Sequence, residues 1–205
     1  MTILAVFLAY AVGSVPTGLW LGLKFRGLDI REHGSRNIGA TNTLRVLGTK
    51  MGIIALLCDV GKGLVAVLVV ARLSGWEHAP LACGLAAIVG HSASLFLKFR
   101  GGKGVATSAG VFLGLCWLPT LIAVAAFLAV AVPTRMVSAG SVCAAVALGV
   151  SIYALPNPWP LRVVVTLVAM LVIVKHRSNL RRIIKGEESK LSFGKRVEGL
   201  DEGVQ

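Results

Sequence analysis

Residues Gly104–Thr134 read GVATSAGVFLGLCWLPTLIAVAAFLAVAVPT, a run without a single charged side chain. The run is longer than the ~20 residues that one transmembrane helix needs and shorter than two such helices require. The number of times it crosses the membrane decides the fold, because it sets the side on which every later segment lies. The whole chain is apolar, with 56% hydrophobic and 15% charged residues, whereas soluble domains carry about 25% charged residues. An all-α integral membrane protein is predicted, since open sheets do not persist in lipid and no barrel-like alternation is visible.

The distribution of basic residues decides between one crossing and two, because cytoplasmic loops of membrane proteins are enriched in Lys and Arg. The N-terminus is placed outside, and the run is taken to cross twice with a break near Pro119. Every Lys and Arg except Lys62, Arg72 and Arg162 then lies on the cytoplasmic side or at its border. A single crossing would instead place all the basic residues after Val174 outside. The sequence thus predicts seven transmembrane helices, with the N-terminus outside and the C-terminus in the cytoplasm.

The same pattern sets the spans and the domain boundaries. The predicted spans cover residues 1–23, 51–71, 80–97, 104–134 as two short spans, 136–155 and 161–174. We expect residues 1–186 to form one seven-span domain. Residues 187–205 have no apolar periodicity, so we expect a disordered tail there. The net charge of +12 is explained by positive cytoplasmic loops and by attraction to anionic headgroups, so no nucleic-acid partner is expected.

Three polar stretches fall on the cytoplasmic face in this topology: residues 34–45, 100–107 and 175–187. The first reads GSRNIGATNTLR. Its glycines allow a backbone to approach a ligand, its hydroxyl and amide groups supply hydrogen bonds, and Arg suits phosphate. We interpret it as an anion-binding loop. The second holds Lys103 among glycines before a predicted helix, which leaves N–H groups free for an anion, although such a segment is most often only a turn.

The third stretch carries the best candidate for acid–base chemistry. If it is helical, His176 and Asn179 share one face, and imidazole titrates near neutral pH. There is no recognisable Ser-His-Asp triad, although His176 could reach Ser35 in the fold. The four His and few acidic residues show no metal-ligand spacing, so no metal is predicted. Asp59 and Lys62 form an i,i+3 pair inside the second span, to be interpreted either as a self-neutralising ion pair or as a support for a site.

Two other functional classes stay open on the residues alone. One is a transporter of a phosphorylated anion, and the other is a structural membrane protein with basic, lipid-binding loops. A transporter needs a site near the middle of the membrane that both sides can reach. The one-sided distribution of the basic residues argues against it.

Together, the polar motifs resemble the PlsY family, the acyl-phosphate-dependent glycerol-3-phosphate acyltransferases of bacteria, over nearly the whole chain to about residue 187. The matching residues are Gly34–Asn42 with Arg45, Gly90–His91 with Phe99–Thr107, His176–Arg177 with Asn179 and Gly186–Glu187, and Asp59 with Lys62–Gly63. Two positions depart from the family pattern. Arg36 stands where the family usually has Gly, and Ser94 stands where it usually has Pro.

The resemblance implies a seven-span enzyme of the bacterial inner membrane whose active site faces the cytoplasm. Such an enzyme transfers a fatty acyl group from acyl phosphate to the 1-hydroxyl of glycerol 3-phosphate, giving lysophosphatidic acid and phosphate. Acyl-CoA and acyl carrier protein are not its direct donors. The expected partners are therefore acyl phosphate, glycerol 3-phosphate and the lipid bilayer. No cofactor is implied, and a monomer is expected.

The resemblance also implies roles for individual residues. Ser35, His176 and Asn179 are the expected catalytic residues, of which the last two position or polarise the reacting groups. The expected substrate-binding residues are Asn37, Gly39, Thr41, Asn42, Arg45, Gly101, Gly102, Lys103, Gly104 and Ser141. The acyl-phosphate end is assigned to Ser35, Gly39, Thr41 and Asn42, with Ser141. Glycerol phosphate is assigned to Arg45 and Lys103, helped by the second-motif glycines. Glu187 is expected to be structural, and the base that takes the hydroxyl proton is either His176 or the substrate phosphate.

Overall fold

The computed structural model of the protein describes residues 1–191, and within them all regular secondary structure is helical. The α-helices are α1 Thr2–Ser14, α2 Thr17–Arg26, α3 Ala40–Leu47, α4 Thr49–Leu68, α5 Ala79–Ser92, α6 Val105–Leu115, α7 Trp117–Thr134, α8 Val137–Ala154, α9 Trp159–Lys175 and α10 Arg177–Ile184. Short 3-10 turns at Val70–Leu73 and Leu95–Leu97 follow α4 and α5. The predicted all-α class is confirmed.

The membrane spans are formed by the longer of these helices. Four segments are long and apolar enough to cross: Thr49–Leu73, Ala79–Leu97, α7 and α8. The bent pairs α1–α2 and α9–α10 raise the number to six if each pair is one span. Helix α6 is apolar but has only 11 residues. The total of seven requires α6 to cross as well, and that total stays a prediction, as does the orientation of the termini.

The helix breaks have local causes in the sequence. The first predicted span bends by 45° between α1 and α2, where Pro16 lacks an N–H and interrupts the helical hydrogen bonds. The charge-free run breaks at Cys116 rather than at Pro119. Pro119 lies in the first turn of α7, where no backbone N–H needs an intrahelical acceptor, so proline fits there without ending the helix.

Close packing of the helices depends on glycine. A Cβ atom on Gly63 of α4 would overlap the backbone of Thr107 in α6, and one on Gly110 of α6 would overlap the carbonyl group of Val60 in α4. Small residues allow helix backbones to approach in this way within membranes, where packing rather than water exclusion drives association. The contact fixes α6, and with it the glycine-rich segment that precedes α6, against α4.

The folded part of the chain extends past residue 186. Residues 187–191 belong to the segment predicted as a disordered tail, yet Glu188 is only 8% exposed. The N–H of Leu191 donates to the carbonyl of Arg135 at 2.8 Å, which attaches this segment to the end of α7. Residues 192–205 of the predicted tail lie outside the described residues.

Candidate active site

The first polar motif is half turn and half helix. The sequence-based interpretation as a loop is wrong from Ala40 onward, where α3 begins after an extended Gly39. The amide oxygen of Asn42 accepts the Ser35 N–H at 2.8 Å, and its amide nitrogen donates to the carbonyl of Ile30 at 2.8 Å. Asn42 is 1% exposed. It was predicted to contact substrate, but here it holds the turn that presents the exposed Ser35.

The remaining first-motif residues shape the start of α3. The side-chain oxygen of Asn37 accepts the N–H of Gly39 at 3.1 Å, which directs the chain into the helix. The hydroxyl of Thr43 donates to the Gly39 carbonyl at 3.2 Å. Thr41 is half-buried in the first helical turn. The turn and the helix start are thus held by their own polar side chains before any ligand binds.

Arg45 lies in the last turn of α3 and reaches the C-terminal segment. Its Nη2 donates to the carbonyl of Ser189 at 2.9 Å. Its Nε is buried without a hydrogen-bond partner among the described residues. A buried guanidinium N–H without an acceptor is costly, so the position suits an anionic ligand that supplies the missing oxygen.

The second motif is a tight loop that returns the chain to α6. Lys98 and Phe99 adopt left-handed conformations with φ of 50° and 62°, which turn the chain after α5. The N–H of Gly102 then donates to the carbonyl of His91 at 2.9 Å. Gly104, with φ of 77°, precedes the first residue of α6, and this is a conformation that favours glycine. Lys103 is held between Gly102, whose N–H is bonded to α5, and Gly104, whose carbonyl accepts the N–H of Ser108 in α6 at 2.8 Å.

The second and third motifs meet in one hydrogen-bond network. Lys103 Nζ donates to Asn179 Oδ1 at 2.5 Å, and Asn179 Nδ2 donates to Glu188 Oε1 at 2.7 Å. The same carboxylate oxygen accepts the hydroxyl of Ser138 in α8 at 2.6 Å. Its other oxygen accepts Arg182 Nε at 2.8 Å. Asn179 is thus fixed between a cation and a carboxylate, with both of its amide ends engaged.

The charges of this network shift two pKa values. Burial lowers the pKa of Lys103 to about 8; the nearby Glu188 opposes this change, and the positive charges of Arg182 and Arg45 add to it. Burial raises the pKa of Glu188, but hydrogen bonds from Ser138, Asn179 and Arg182 lower it more, so the net pKa lies below its usual value. Glu188 is therefore an anion at neutral pH, and Lys103 is a cation that titrates close to neutrality.

His176 occupies the bend of 53° between α9 and α10 and is 2% exposed. Its Nδ1 lies 2.8 Å from the carbonyl oxygen of Val172. A carbonyl can only accept, so Nδ1 carries the proton and Nε2 of the neutral ring keeps its lone pair. Within residues 1–191, no hydrogen bond joins His176 to Ser35. The predicted residue Ser141 is buried in α8, where its hydroxyl donates to the carbonyl of Val137 at 2.8 Å.

Sequence reasoning missed three members of the network: Ser138, Arg182 and Glu188. It selected Glu187 as structural, but Glu187 is exposed and its neighbour Glu188 is buried. A signal was present in the sequence, because a lone acidic pair follows a strongly basic helix and one of its carboxylates can neutralise an arginine there. The sequence did not show which of the two carboxylates turns inward.

The comparisons with known proteins identify the family of the chain. The family model for glycerol-3-phosphate acyltransferase matches residues 3–186. The chain belongs to this family. Relatives in the acyltransferase family include the glycerol-3-phosphate acyltransferase of Geobacter sulfurreducens, 50% identical over 183 residues that cover 89% of this chain and 93% of the relative. The enzyme of Trichlorobacter lovleyi is 47% identical over 182 residues, covering 89% and 93%.

Solved structures extend the family assignment to the fold. The chain is similar to the crystal structure of PlsY (YgiH), an integral membrane glycerol 3-phosphate acyltransferase, in the glycerol 3-phosphate form. The TM-score is 0.87 and the sequence identity is 31%, over 93% of this chain and 96% of PlsY. Its lysophosphatidic acid form matches with a TM-score of 0.84 and 30% identity, covering 93% and 95%. The resemblance to the PlsY family is thereby confirmed, together with the integral membrane class of the fold.

Proposed function

We propose that this acyltransferase moves a fatty acyl group from acyl phosphate to the 1-hydroxyl of glycerol 3-phosphate, with lysophosphatidic acid and phosphate as products. This reaction is the first acylation step of phospholipid synthesis. Family membership supports glycerol 3-phosphate as the acceptor. The related PlsY was solved in glycerol 3-phosphate and lysophosphatidic acid forms, and these molecules correspond to the acceptor and the product proposed here.

The observation that carries the proposal is the state of three cations in the site. Arg182 is paired with Glu188 at 2.8 Å. Arg45 and Lys103 instead donate to the neutral oxygens of Ser189 and Asn179. Among residues 1–191, these two cations therefore have no carboxylate of their own within ion-pair distance. Two cations held by neutral oxygens suit the phosphate group of glycerol 3-phosphate.

The chemistry needs positioning more than a nucleophilic side chain. Acyl phosphate is a mixed anhydride, so the 1-hydroxyl oxygen attacks its carbonyl carbon, the new ester C–O bond forms, and the C–O bond to phosphate breaks. Negative charge develops on the carbonyl oxygen and on the departing phosphate, where fixed donors stabilise it. Arg45 and Lys103 hold the phosphate of glycerol 3-phosphate. The exposed Ser35, supported by Asn42, presents its hydroxyl to the reacting end.

Two groups can accept the proton of the attacking hydroxyl: Nε2 of His176 and an oxygen of a substrate phosphate. In either case His176 is held in one orientation by Val172, and Asn179 is held by Glu188. We predict that His176→Ala stays folded and loses turnover by at least about 100-fold, within the range typical of acid–base or positioning groups. The matched control is His78→Ala, which replaces an exposed imidazole before α5. Wild-type turnover in His176→Ala would remove the residue from the site.

The same proposal includes the topology and the location. Seven spans, with α6 crossing as a short span, place the three polar motifs and the C-terminus in the cytoplasm of a bacterial inner membrane. The support is the one-sided distribution of Lys and Arg. A monomer is proposed as the functional unit.

The donor is tested with purified protein in detergent micelles. Glycerol 3-phosphate is supplied with acyl phosphate, acyl-CoA or acyl carrier protein as sole donor, and lysophosphatidic acid and phosphate are quantified. We expect product only with acyl phosphate, in equal amounts of ester and released phosphate. Product from acyl-CoA at a comparable rate would refute the donor assignment, and the absence of ester with every donor would refute the proposed activity.

A further inference from the structure

A buried charge cluster lies behind the site and outside its hydrogen-bond network. Asp59 and Lys62 of α4 and His91 of α5 are 2%, 8% and 5% exposed. Lys62 Nζ is 2.6 Å from Asp59 Oδ1, and His91 Nδ1 is 4.0 Å from the same oxygen. Ionisable groups within membrane helices are costly and usually serve a function there. The Asp59–Lys62 pair neutralises itself, so the pair alone does not explain why an imidazole faces it.

Lys62 links Asp59 to the end of α1, where the first predicted span bends. Lys62 Nζ also donates to the carbonyl of Val15 at 2.8 Å, directly before Pro16, where α1 ends. Asp59 Oδ1 is in ion-pair contact with Lys62 Nζ but accepts no hydrogen bond of good geometry from residues 1–191. The carboxylate is thus held in place by α1 and α4 and keeps an acceptor position for a ring N–H of His91.

The other edge of the imidazole supports the glycine loop. A Cβ atom on Gly102 would overlap Nε2 of His91, so the ring and the loop backbone are already in contact. The N–H of Gly102 donates to the carbonyl of His91 at 2.9 Å, and that of Gly101 donates to Ser92 at 3.3 Å. The ring of His91 therefore lies between the Asp59 carboxylate and the residue that precedes Lys103.

We propose that Asp59 and His91 are positioning residues of the reaction: the imidazole, which lies between the Asp59 carboxylate and Gly102, sets the position of Gly102 and through it the position of Lys103. The inference rests on the proposed function, in which Lys103 binds the phosphate of glycerol 3-phosphate. It adds a role for two residues that touch no substrate. A misplacement of about 1 Å in a binding group can cost about 100-fold, so the support needs to be rigid.

The test measures the two substrates separately. The dissociation constant of glycerol 3-phosphate is measured by calorimetry without turnover, and KM for each substrate, kcat and the unfolding temperature are measured on the same samples. We expect His91→Ala to weaken glycerol 3-phosphate binding by about tenfold or more, with the KM of acyl phosphate within about twofold of wild type. His91→Gln, whose amide restores a polar group below Gly102, is expected to recover part of the loss. Asp59→Asn, which keeps the volume, is expected to weaken binding in the same direction.

The matched control is Ile152→Ala, a buried core change in α8 away from the loop, which is expected to lower the unfolding temperature and leave both KM values unchanged. The proposal is overturned if His91→Ala lowers only the unfolding temperature, or if it raises the KM values of both substrates by the same factor. If His91→Ala does not fold, unchanged binding in His91→Gln and Asp59→Asn overturns it. Wild-type protein that binds no glycerol 3-phosphate would instead refute the proposed function.

Discussion

Replacement of Glu188 tests the proposed site most directly, because its carboxylate joins Ser138 of α8 to Asn179 and Arg182 of α10. Its side chain is 4% exposed and accepts hydrogen bonds from Ser138, Asn179 and Arg182 at 2.6 to 2.8 Å. We predict that Glu188→Ala both destabilises the protein and lowers turnover, because Asn179 then loses the group that orients it toward Lys103.

The size of the destabilisation follows from the partners left behind. Ser138 and Asn179 are each 7% exposed, and a buried donor left without an acceptor costs about 1–3 kcal/mol. The Arg182 side chain is 41% exposed, so its ion pair adds no more than about 1 kcal/mol. The expected loss is about 4 kcal/mol, which for a chain of this size corresponds to an unfolding temperature lower by about 10 °C. Glu188→Gln keeps an amide oxygen as acceptor, so we expect it to lose less than half as much.

The adjacent Glu187 provides the matched control, since it has the same side chain, the same charge and an exposed position. Thermal unfolding in detergent micelles and turnover with acyl phosphate are measured for Glu187→Ala, Glu188→Ala and Glu188→Gln. Glu187→Ala is expected to match wild type in both. If Glu187→Ala and Glu188→Ala have equal unfolding temperatures, the reasoning from buried hydrogen bonds is refuted.

Two further predictions concern the cations. Burial lowers the pKa of Lys103 to about 8, and the ammonium is charged below that value, so the KM of glycerol 3-phosphate should rise as pH increases through about 8. In Lys103→Arg this rise in KM should vanish, because Arg stays protonated. An identical rise in both proteins would show that another group causes it. Arg36 has φ of 57° and an exposed side chain, so Arg36→Gly should raise the unfolding free energy by up to about 1 kcal/mol by removing left-handed strain. Arg36→Ala removes the charge but keeps the strain, so its unfolding temperature should not rise. An equal rise in the unfolding temperature of both variants would contradict the strain argument.

The helical frame could be predicted because its signals are local. Charge-free runs, basic flanks and prolines located the long helices to within a few residues, and the choice of two segments in the run 104–134 agrees with helices that meet at Cys116. The exact break could not be predicted, since Pro119 is compatible both with a break and with the first turn of a helix. The start of α3 was missed for a similar reason, because its Gly, Thr and Asn residues are equally typical of a loop.

The contacts that orient the site could not be predicted, because they join distant parts of the chain. Glu188 is buried by Ser138, fifty positions earlier, and by a turn after α10; neither contact leaves a periodic pattern in the tail. Asn42 was predicted to contact substrate from its place in the family motif, and its sequence neighbours gave no sign that backbone groups occupy both ends of its side chain. Composition identifies the donors of a site, whereas only tertiary contacts show which of them are already used.

The same distinction decides which cations serve the substrates. By charge alone, Arg36, Arg45, Lys103 and Arg182 are equivalent contributors to a basic surface, and only the family resemblance singled out Arg45 and Lys103. In the fold, Arg182 is neutralised by Glu188, and Arg36 is exposed on a strained turn where glycine would be favoured. Arg45 and Lys103 are partly buried and hold only neutral oxygens. Desolvated cations without a counter-ion lose stability that an anionic ligand restores, so the cost of burying these two charges becomes a preference for phosphate when the substrates bind.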